Sequence, residues 1–492
     1  MTRALRRRAA LAALAATTVA SLACSDPPTS GGGVVVDGNG DVELPDCPLD
    51  ALDEAAASGP VPVTLWYGGL TGKAKDAMVA QVANFNAAQD VVELKADDQG
   101  VDYDEVYRKF TSAASADTSQ LPDVVYLEDV QLRALADSGL VLPAEACMEA
   151  ADYDMTEIEP AARAKYSVDD VLYPGYMNIS TPVLYYNKAH WAKAGLDPED
   201  PPDTLDEVYE VARALKAAGV SPRPMSFKAD RWFFESWLTG VDVDIVNEDN
   251  GRSAEPTEAT FDTPEARDLM AWLTKMDDEG LLNPFADTEG SIDHYLALIT
   301  QDSSMLIETS TASSTIAATV SGTITAAEAG VDFDESVIDK SALVPGAGAL
   351  PGIEQPGQVF ASGGAFYILN TSDAPQQAGA WSFLEFMLQP ENAKLWHTGG
   401  GYLPAVKAVN DEPDIEAFWT DDLTGVLLFP AVEQLADADP DRPGPLIGPY
   451  NDETAAIQGA MESILFDGAD IDAALADAEA TVTQSLERYA GE

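Results

Sequence analysis

Positive charge is scarce in this chain: 27 Lys and Arg stand against 84 Asp and Glu, a formal net of −57 over 492 residues. That balance argues against a nucleic-acid partner and against adsorption on anionic lipid, since both need clustered Lys and Arg. Histidine is limited to His190, His294 and His397, with no H-E-x-x-H and no Cys/His cluster, so no metal site is expected. No G-x-S-x-G nucleophile elbow is present. Gly68-Gly-Leu-Thr-Gly72-Lys73-Ala74 approaches a phosphate loop, but it is one residue short between its glycines, and Ala74 cannot offer a hydroxyl to Mg²⁺. Beyond the N-terminus no run of about 18 apolar residues occurs, so no membrane-spanning helix is expected. No repeat of roughly 20–50 residues suggests a solenoid or propeller. Nothing calls for a cofactor.

What is present begins at the N-terminus. Arg3, Arg6, Arg7 and Arg8 precede an apolar stretch from Ala9 to Ala20, and Ser21-Leu-Ala-Cys24 follows. Residues 1–23 read as a signal peptide, too short in its apolar part to span a bilayer. The Ser-Leu-Ala-Cys run resembles a bacterial lipobox, with Ser where Leu is usual. Cys24 is therefore expected to carry lipid, and simple secretion is the alternative. Residues 24–60 are expected to be the lipidated Cys and a flexible linker, Pro-, Ser- and Gly-rich at its start. Asp37, Asn39 and Asp41 begin an EF-hand spacing that Val42 and Pro48 break, so a solvated tether is the simpler reading. If Cys24 is acylated, Cys47 and Cys147 remain as a pair in an oxidising compartment. A bridge would close a loop of about 100 residues, worth roughly 4–5 kcal/mol in the chain-entropy model. Two buried free thiols are the other outcome.

The length favours more than one core. Val61 to Trp66, Val91 to Ala96 and Asp123 to Glu128 read as strands. Met78, Val79, Val82 and Phe85 lie at helical spacing between the first two. This alternation predicts a parallel sheet with helices on its faces and binding loops at its carboxyl ends, where Trp66, Tyr67, Glu128 and Asp129 fall. Thr181 to Asn187 reads as a further strand. Thr204 and Glu207 form a capping box ahead of a helix whose Leu205, Val208, Val211 and Leu215 share one face. Helices are also expected over Trp381 to Gln389 and from about Ile471 to Tyr489, with Trp381 and Trp396 in the core.

Met177-Asn-Ile-Ser-Thr-Pro-Val-Leu-Tyr-Tyr-Asn-Lys188 with Ala194 to Pro202, Phe360-Ala-Ser-Gly-Gly-Ala365, Phe386 to Ala393, and Trp396 through Gly401-Tyr-Leu-Pro404 form an ordered set. It is similar to the family 1 extracellular solute-binding proteins, especially the glycerol-3-phosphate- and sugar-binding branch, from about residue 61 to the end. The resemblance implies an α/β, two-lobed periplasmic-binding-protein fold with hinge strands and a ligand cleft between the lobes. One lobe would hold 61–177 plus about 310–366, the other 178–309 plus about 367–492. It places ligand contacts at Tyr103, Ser180, Gly364 and Tyr402, at Glu128 or Asp129, and at Thr309 and Ser310. The phosphate-holding Arg of that branch has no counterpart in Tyr450-Asn-Asp-Glu-Thr-Ala-Ala456, where Thr454 is the nearest match.

A dianion lacking that cation would be costly to desolvate, so a neutral sugar is the expected cargo. Trp66, Trp232, Trp237, Tyr103 and Tyr402 would stack on pyranose rings, with carboxylates and hydroxyls taking the sugar hydroxyls. The chain is thus expected to be a monomeric, non-enzymatic binding lipoprotein that delivers a small-molecule sugar to an ABC permease. It would sit at the cell surface or in the periplasm, touching the membrane through its lipid alone. Glycerol-3-phosphate or a glycerophosphodiester is the alternative cargo. Carboxylates are too abundant for chance pairs to identify a glycosidase, and a secreted glycoside-active enzyme is the second alternative.

Overall fold

The computed structural model describes residues 35–36, 42–100, 102–288, 291–322 and 342–491. The expected signal peptide, Cys24 and the start of the expected linker lie outside these residues. The principal strands in chain order are β1 (Val61–Tyr67), β2 (Val92–Asp98), β3 (Val124–Glu128), β4 (Val141–Leu142), β5 (Tyr176–Met177), β6 (Pro182–Asn187), β7 (Met225–Ala229), β8 (Leu282–Ala286), β9 (Met305–Thr309), β10 (Pro345–Ala349) and β11 (Gly364–Leu369). The helices that position the site are α1 (Asp50–Ala56), α2 (Gly72–Ala88), α3 (Tyr103–Ala116), α4 (Pro160–Lys165), α5 (Leu205–Ala217), α6 (Arg231–Thr239), α7 (Ala374–Leu388), α8 (Pro390–Gly400), α9 (Leu423–Ala436), α10 (Tyr450–Asp467) and α11 (Ile471–Ala490).

The strands form two sheets, one per lobe. The first runs β2-β1-β3-β11-β4, with β5 also on β11; the second runs β8-β7-β9-β6-β10. In each, the strands joined through helices are parallel: β1 with β2 and β3, β7 with β8 and β9. The strands entering from the hinge, β11 and β6, are antiparallel to their neighbours. Burial on both faces explains the composition: all residues of β6 and β11 are buried, as are the first four of β3. The capping box at Thr204 and Glu207 forms, with Leu205, Val208 and Leu215 buried. In α2, Met78 and Phe85 face the core, whereas Val79 of the expected stripe is 56% exposed and Ala77 and Gln81 take the buried positions instead.

Two expectations about boundaries are corrected. Strand β10 pairs with β6 in the second sheet, so the segment around 345–349 belongs to the second lobe rather than the first. Helices α7 and α8 pack on β1, β11 and α2, so 374–400 returns to the first lobe. Strand β11 is antiparallel within the first sheet, and this delivers the following helix to that sheet's face. Part of the segment expected as a flexible linker, 24–60, is also folded. Helix α1 packs on α7, and Cys47 and Cys147 are joined 100 residues apart.

The lobes meet at a narrow hinge. Ser180 and Ser362 pair as a two-residue bridge, with N···O distances of 2.8 and 3.1 Å. Leu403 donates to the Ile179 carbonyl at 2.7 Å. Arg252 of the second lobe ties in the end of α4, donating to the carbonyls of Ala164, Lys165 and Ser167 at 3.3, 3.2 and 3.1 Å and to that of Gly444 at 3.0 Å. Helix C-terminal carbonyls lack intrahelical partners, and a guanidinium answers several at once.

Because the disulfide closes so long a loop, its reduction should cost about 4–5 kcal/mol of stability, seen as a lower melting temperature. Cleavage after Glu54 by a glutamate-specific protease should then precede cleavage elsewhere; unchanged melting on complete reduction would contradict this.

Candidate ligand cleft

A cleft of about 510 Å³ opens between the lobes, lined by Asp102, Tyr103, Asp104, Glu128 and Val130 on one side and by Arg231, Asn451, Thr454, Gln458 and Glu462 on the other. The first wall sits at the carboxyl ends of the parallel strands, where α/β sheets bind ligands. Asp102 caps α3 by accepting the Glu105 backbone N–H at 2.6 Å, which sets Tyr103 at the helix start and in the cleft. Behind it lies a layer of hydroxyls. Tyr103 and Tyr126 are 3.2 Å apart through their oxygens, and the Asn178 amide donates to Tyr126 at 2.5 Å. The Tyr402 hydroxyl joins the same group.

Tyr402 is fixed from behind. Its ring lies on Trp396, with centroids 5.7 Å apart and planes at 9°. The buried His397 contacts the Tyr402 carbonyl through Nδ1 at 2.5 Å and takes the Trp419 indole N–H on Nε2 at 3.0 Å. Since Nε2 accepts, the ring is neutral and Nδ1–H donates; burial holds its pKa down to about 4. Gly364 serves the same layer, because a Cβ there would fall 2.2 Å from Cζ of Tyr126.

The ambiguity between Glu128 and Asp129 is one of strand alternation, since successive side chains point to opposite faces. Glu128 lines the cleft. Asp129 points the other way, into the first lobe beside the hinge, where it pairs with Lys165 at 3.0 Å and accepts from Ser362 Oγ at 2.7 Å and Gly363 N–H at 2.9 Å. Burial, reinforced by Asp129 and opposed by Arg231, pushes the Glu128 carboxyl up to about 8. Burial likewise raises Asp104.

The second wall is built on α6 and α10. Asp230 caps α6 by accepting the Trp232 N–H at 2.9 Å, and it pairs with Lys228 at 2.9 Å. Arg231 then stands at the helix N-terminus, where the dipole disfavours a cation. Its counter-ion is Glu235 one turn on, at 2.9 Å. Tyr450 completes the arrangement: its hydroxyl donates to Glu235 at 3.0 Å, and its ring lies 4.9 Å from the guanidinium carbon. Glu453 is fully buried beside Glu235; desolvation, with the Glu235 charge next, raises its pKa well above the ordinary carboxylate value.

The structure therefore brings Tyr103 and Glu128 together on the cleft wall, with Tyr402 and Gly364 in the layer behind. Other candidates lie elsewhere. Trp66 lines a separate groove with Gln99, Arg108 and Lys109, because β1 presents it to the far side of α3. Trp237 is a core residue, donating to the Pro351 carbonyl at 2.8 Å and stacking on Phe227. Trp232 is buried next to Arg231, stacked on Phe233, with its indole N–H unpaired. Ser180 donates to the Ser362 carbonyl at 3.1 Å within the hinge. Thr309 and Ser310, at the carboxyl end of β9, offer their carbonyls to the Tyr185 hydroxyl at 3.0 and 2.9 Å and do not line the cleft. Sequence reasoning missed Arg231, Asp104, Tyr126 and Asn178. An Arg and a Glu four residues apart, Arg231 and Glu235, within the aromatic-rich stretch Trp232 to Leu238 were the available signal. The cation absent from 450–456 is supplied to the cleft from α6. Among the described residues no group of His, Cys, Asp and Glu could hold a metal ion, and no helix is long and apolar enough to cross a membrane.

Two outcomes follow. The folded protein keeps a proton on Glu128 between the ordinary 4.5 and about 8, where the unfolded chain has lost it. Stability should thus fall as pH rises through that window and level off above it. Glu128→Gln should flatten this part of the pH–melting curve, and an unchanged slope would contradict the assignment. Gly364→Ala should displace Tyr126 and cost about 1–3 kcal/mol of stability in urea unfolding, whereas a silent substitution would show that the Tyr126 layer yields freely.

The curated relative sn-glycerol-3-phosphate-binding periplasmic protein UgpB of Escherichia coli (strain K12) is 25% identical over 310 residues, 61% of this chain and 65% of its own length. The chain thus spans about two thirds of that relative. A cyclic alpha-maltosyl-1,6-maltose binding protein from Arthrobacter globiformis superposes with TM-score 0.65 at 24% identity, covering 87% of this chain and 100% of the other. UgpB from Mycobacterium tuberculosis in complex with glycerophosphocholine gives 0.68 at 20%, covering 88% and 100%. Residues 80–423 match the model of the bacterial extracellular solute-binding proteins, which is most of the folded body. The two hinged lobes and the cleft between them are the architecture of that group, and this chain belongs to the bacterial extracellular solute-binding proteins.

Proposed function

We propose that this protein is the substrate-binding component of an ABC importer and that its cargo is a neutral carbohydrate, captured in the cleft and passed to the permease. The observation that carries this reading is the state of the cleft's cation. Arg231 is the one cation among the described lining residues, and Glu235 already occupies it at 2.9 Å. The carboxylates of Asp102, Asp104 and Glu462 face the same space, with the proton-holding Glu128 beside them. A phosphate dianion would lose its hydration against carboxylates, with no free positive charge in return. Sugar hydroxyls, by contrast, donate well to carboxylates and to the amides of Asn451 and Gln458, and Tyr103 offers a ring face.

In this reading the protein acts as a monomer without catalysis, held to the membrane by lipid on Cys24. The disulfide-tied segment around α1 would fasten that tether to the first lobe, leaving the second free to close. A second reading keeps the class and makes the cargo a glycerophosphodiester, favoured by Arg231 in the cleft and by the glycerol-phosphate relatives.

A thermal-shift and calorimetry panel of maltose, maltotriose, sn-glycerol-3-phosphate and glycerophosphocholine separates them, because a ligand of the native state raises its melting temperature. Maltose or maltotriose should stabilise and the phosphates should not. Stabilisation by a phosphate compound alone would replace the first reading with the second, and hydrolysis of maltotriose on long incubation would replace both.

A further inference from the structure

Arg231 is an unusual choice for its position. It starts a helix whose dipole opposes it, and it is 7% exposed. A buried guanidinium facing a ligand cleft would ordinarily be an anion site. Here Glu235, with 0% exposure, takes its Nη1 at 2.9 Å, and the Tyr450 hydroxyl donates to the same Glu235 oxygen at 3.0 Å, holding that carboxylate in place. Glu453, also 0% exposed, stands behind Glu235, and its burial disfavours a second charge there. Arg231 and Glu235 thus answer each other, one guanidinium against one carboxylate.

We infer that Glu235 is a specificity-determining residue that acts through Arg231, cancelling the cleft's guanidinium so that the site admits uncharged hydroxylated ligands and rejects phosphate-bearing ones. The inference rests on the neutral-cargo reading. Its geometry is that of a built-in mimic: Glu235 presents to Arg231 the anion that a phosphate would otherwise supply, and it does so from within the helix. An anionic ligand would have to compete with a covalently tethered carboxylate at very high effective concentration. Neutral hydroxyls do not compete, since they need only the guanidinium N–H groups that Glu235 leaves unused. Glu235 touches no ligand itself in this account; it is a positioning and charge-setting residue.

The experiment measures binding of maltose, sn-glycerol-3-phosphate and inorganic phosphate by calorimetry on the full-length protein, wild type and Glu235→Gln, at low salt. Wild type should bind sn-glycerol-3-phosphate weakly or not at all. Glu235→Gln should gain at least tenfold in affinity for it, with a smaller gain for inorganic phosphate, and added salt should erode the gain. In the double variant with Arg231→Gln the gain should disappear, a result that mere loosening of the fold would not give. If Glu235→Gln fails to fold, as judged by circular dichroism and a cooperative melt, Glu235→Asp carries the same test, since it keeps the charge but withdraws it from Nη1; a gain of several-fold is then expected. A folded Gln or Asp variant with no gain for the phosphates overturns the inference, as does a gain that survives loss of Arg231. Tight binding of sn-glycerol-3-phosphate by the wild type would instead refute the neutral-cargo reading, and is seen before any variant is made.

Discussion

Asp129, Asp230, Glu235, Glu308, Glu453 and Glu128 lie on the hinge side of the first lobe, at the cleft, or at the ends of the second sheet, where water is largely excluded. Each ionised one must be answered by a nearby cation or give up its charge. Asp129 has Lys165, Asp230 has Lys228, Glu235 has Arg231, and Glu308 has the Lys228 charge nearby and a hydrogen bond with His294 at 2.6 Å. Among the described residues no cation lies within salt-bridge distance of Glu453 or Glu128, and both are shifted upward. In a chain with 27 basic residues for 84 acidic ones, the placement of these few cations decides what the interior tolerates.

The same pairs define the moving parts. Lys165 and Asp129 lock the first lobe to the start of β11 through Ser362 and Gly363, and Arg252 gathers the end of α4 onto the second lobe. Between these fixed points the chain crosses as short extended segments, of which the Ser180–Ser362 bridge is the narrowest. Short extended crossings flanked by rigid anchors suit rotation of one lobe against the other. The cleft walls ride on the rigid parts, Tyr103 on a capped helix and Arg231 on a wholly buried one.

The cleft itself is layered. Residues facing the space are polar and few, and behind them Tyr126, Tyr402, Asn178, Trp396 and His397 hold them still. Such support limits the freedom a ligand would otherwise have to remove on binding. On the other wall, α10 supplies amides and a hydroxyl while Tyr450 and Glu453 of the same helix turn inward to the Arg231 group. One helix thus serves both the ligand surface and the charge behind it, because residues three and four apart share a face while the next residue in sequence lies about 100° round the axis.

Sequence alone determined the strand–helix alternation, the strand at Thr181 to Asn187, the capped helix at Thr204, and the family segments that imply two lobes. These are local patterns, or runs specific enough to be read without their partners. It also brought Gly364 and Tyr402 into view inside such runs, Glu128 or Asp129 at a strand end, and Tyr103 through the family resemblance. Only the tertiary structure decided which of Glu128 and Asp129 faces the cleft, because one step along a strand reverses a side chain. It returned α7 and α8 to the first lobe and β10 to the second, since sheet partners hundreds of residues apart leave no local mark. It moved Trp237 into the core, where its indole found a carbonyl, and it placed Arg231 opposite Glu128. That last juxtaposition joins two elements about a hundred residues apart across a cleft, and periodicity within either element carries no trace of it.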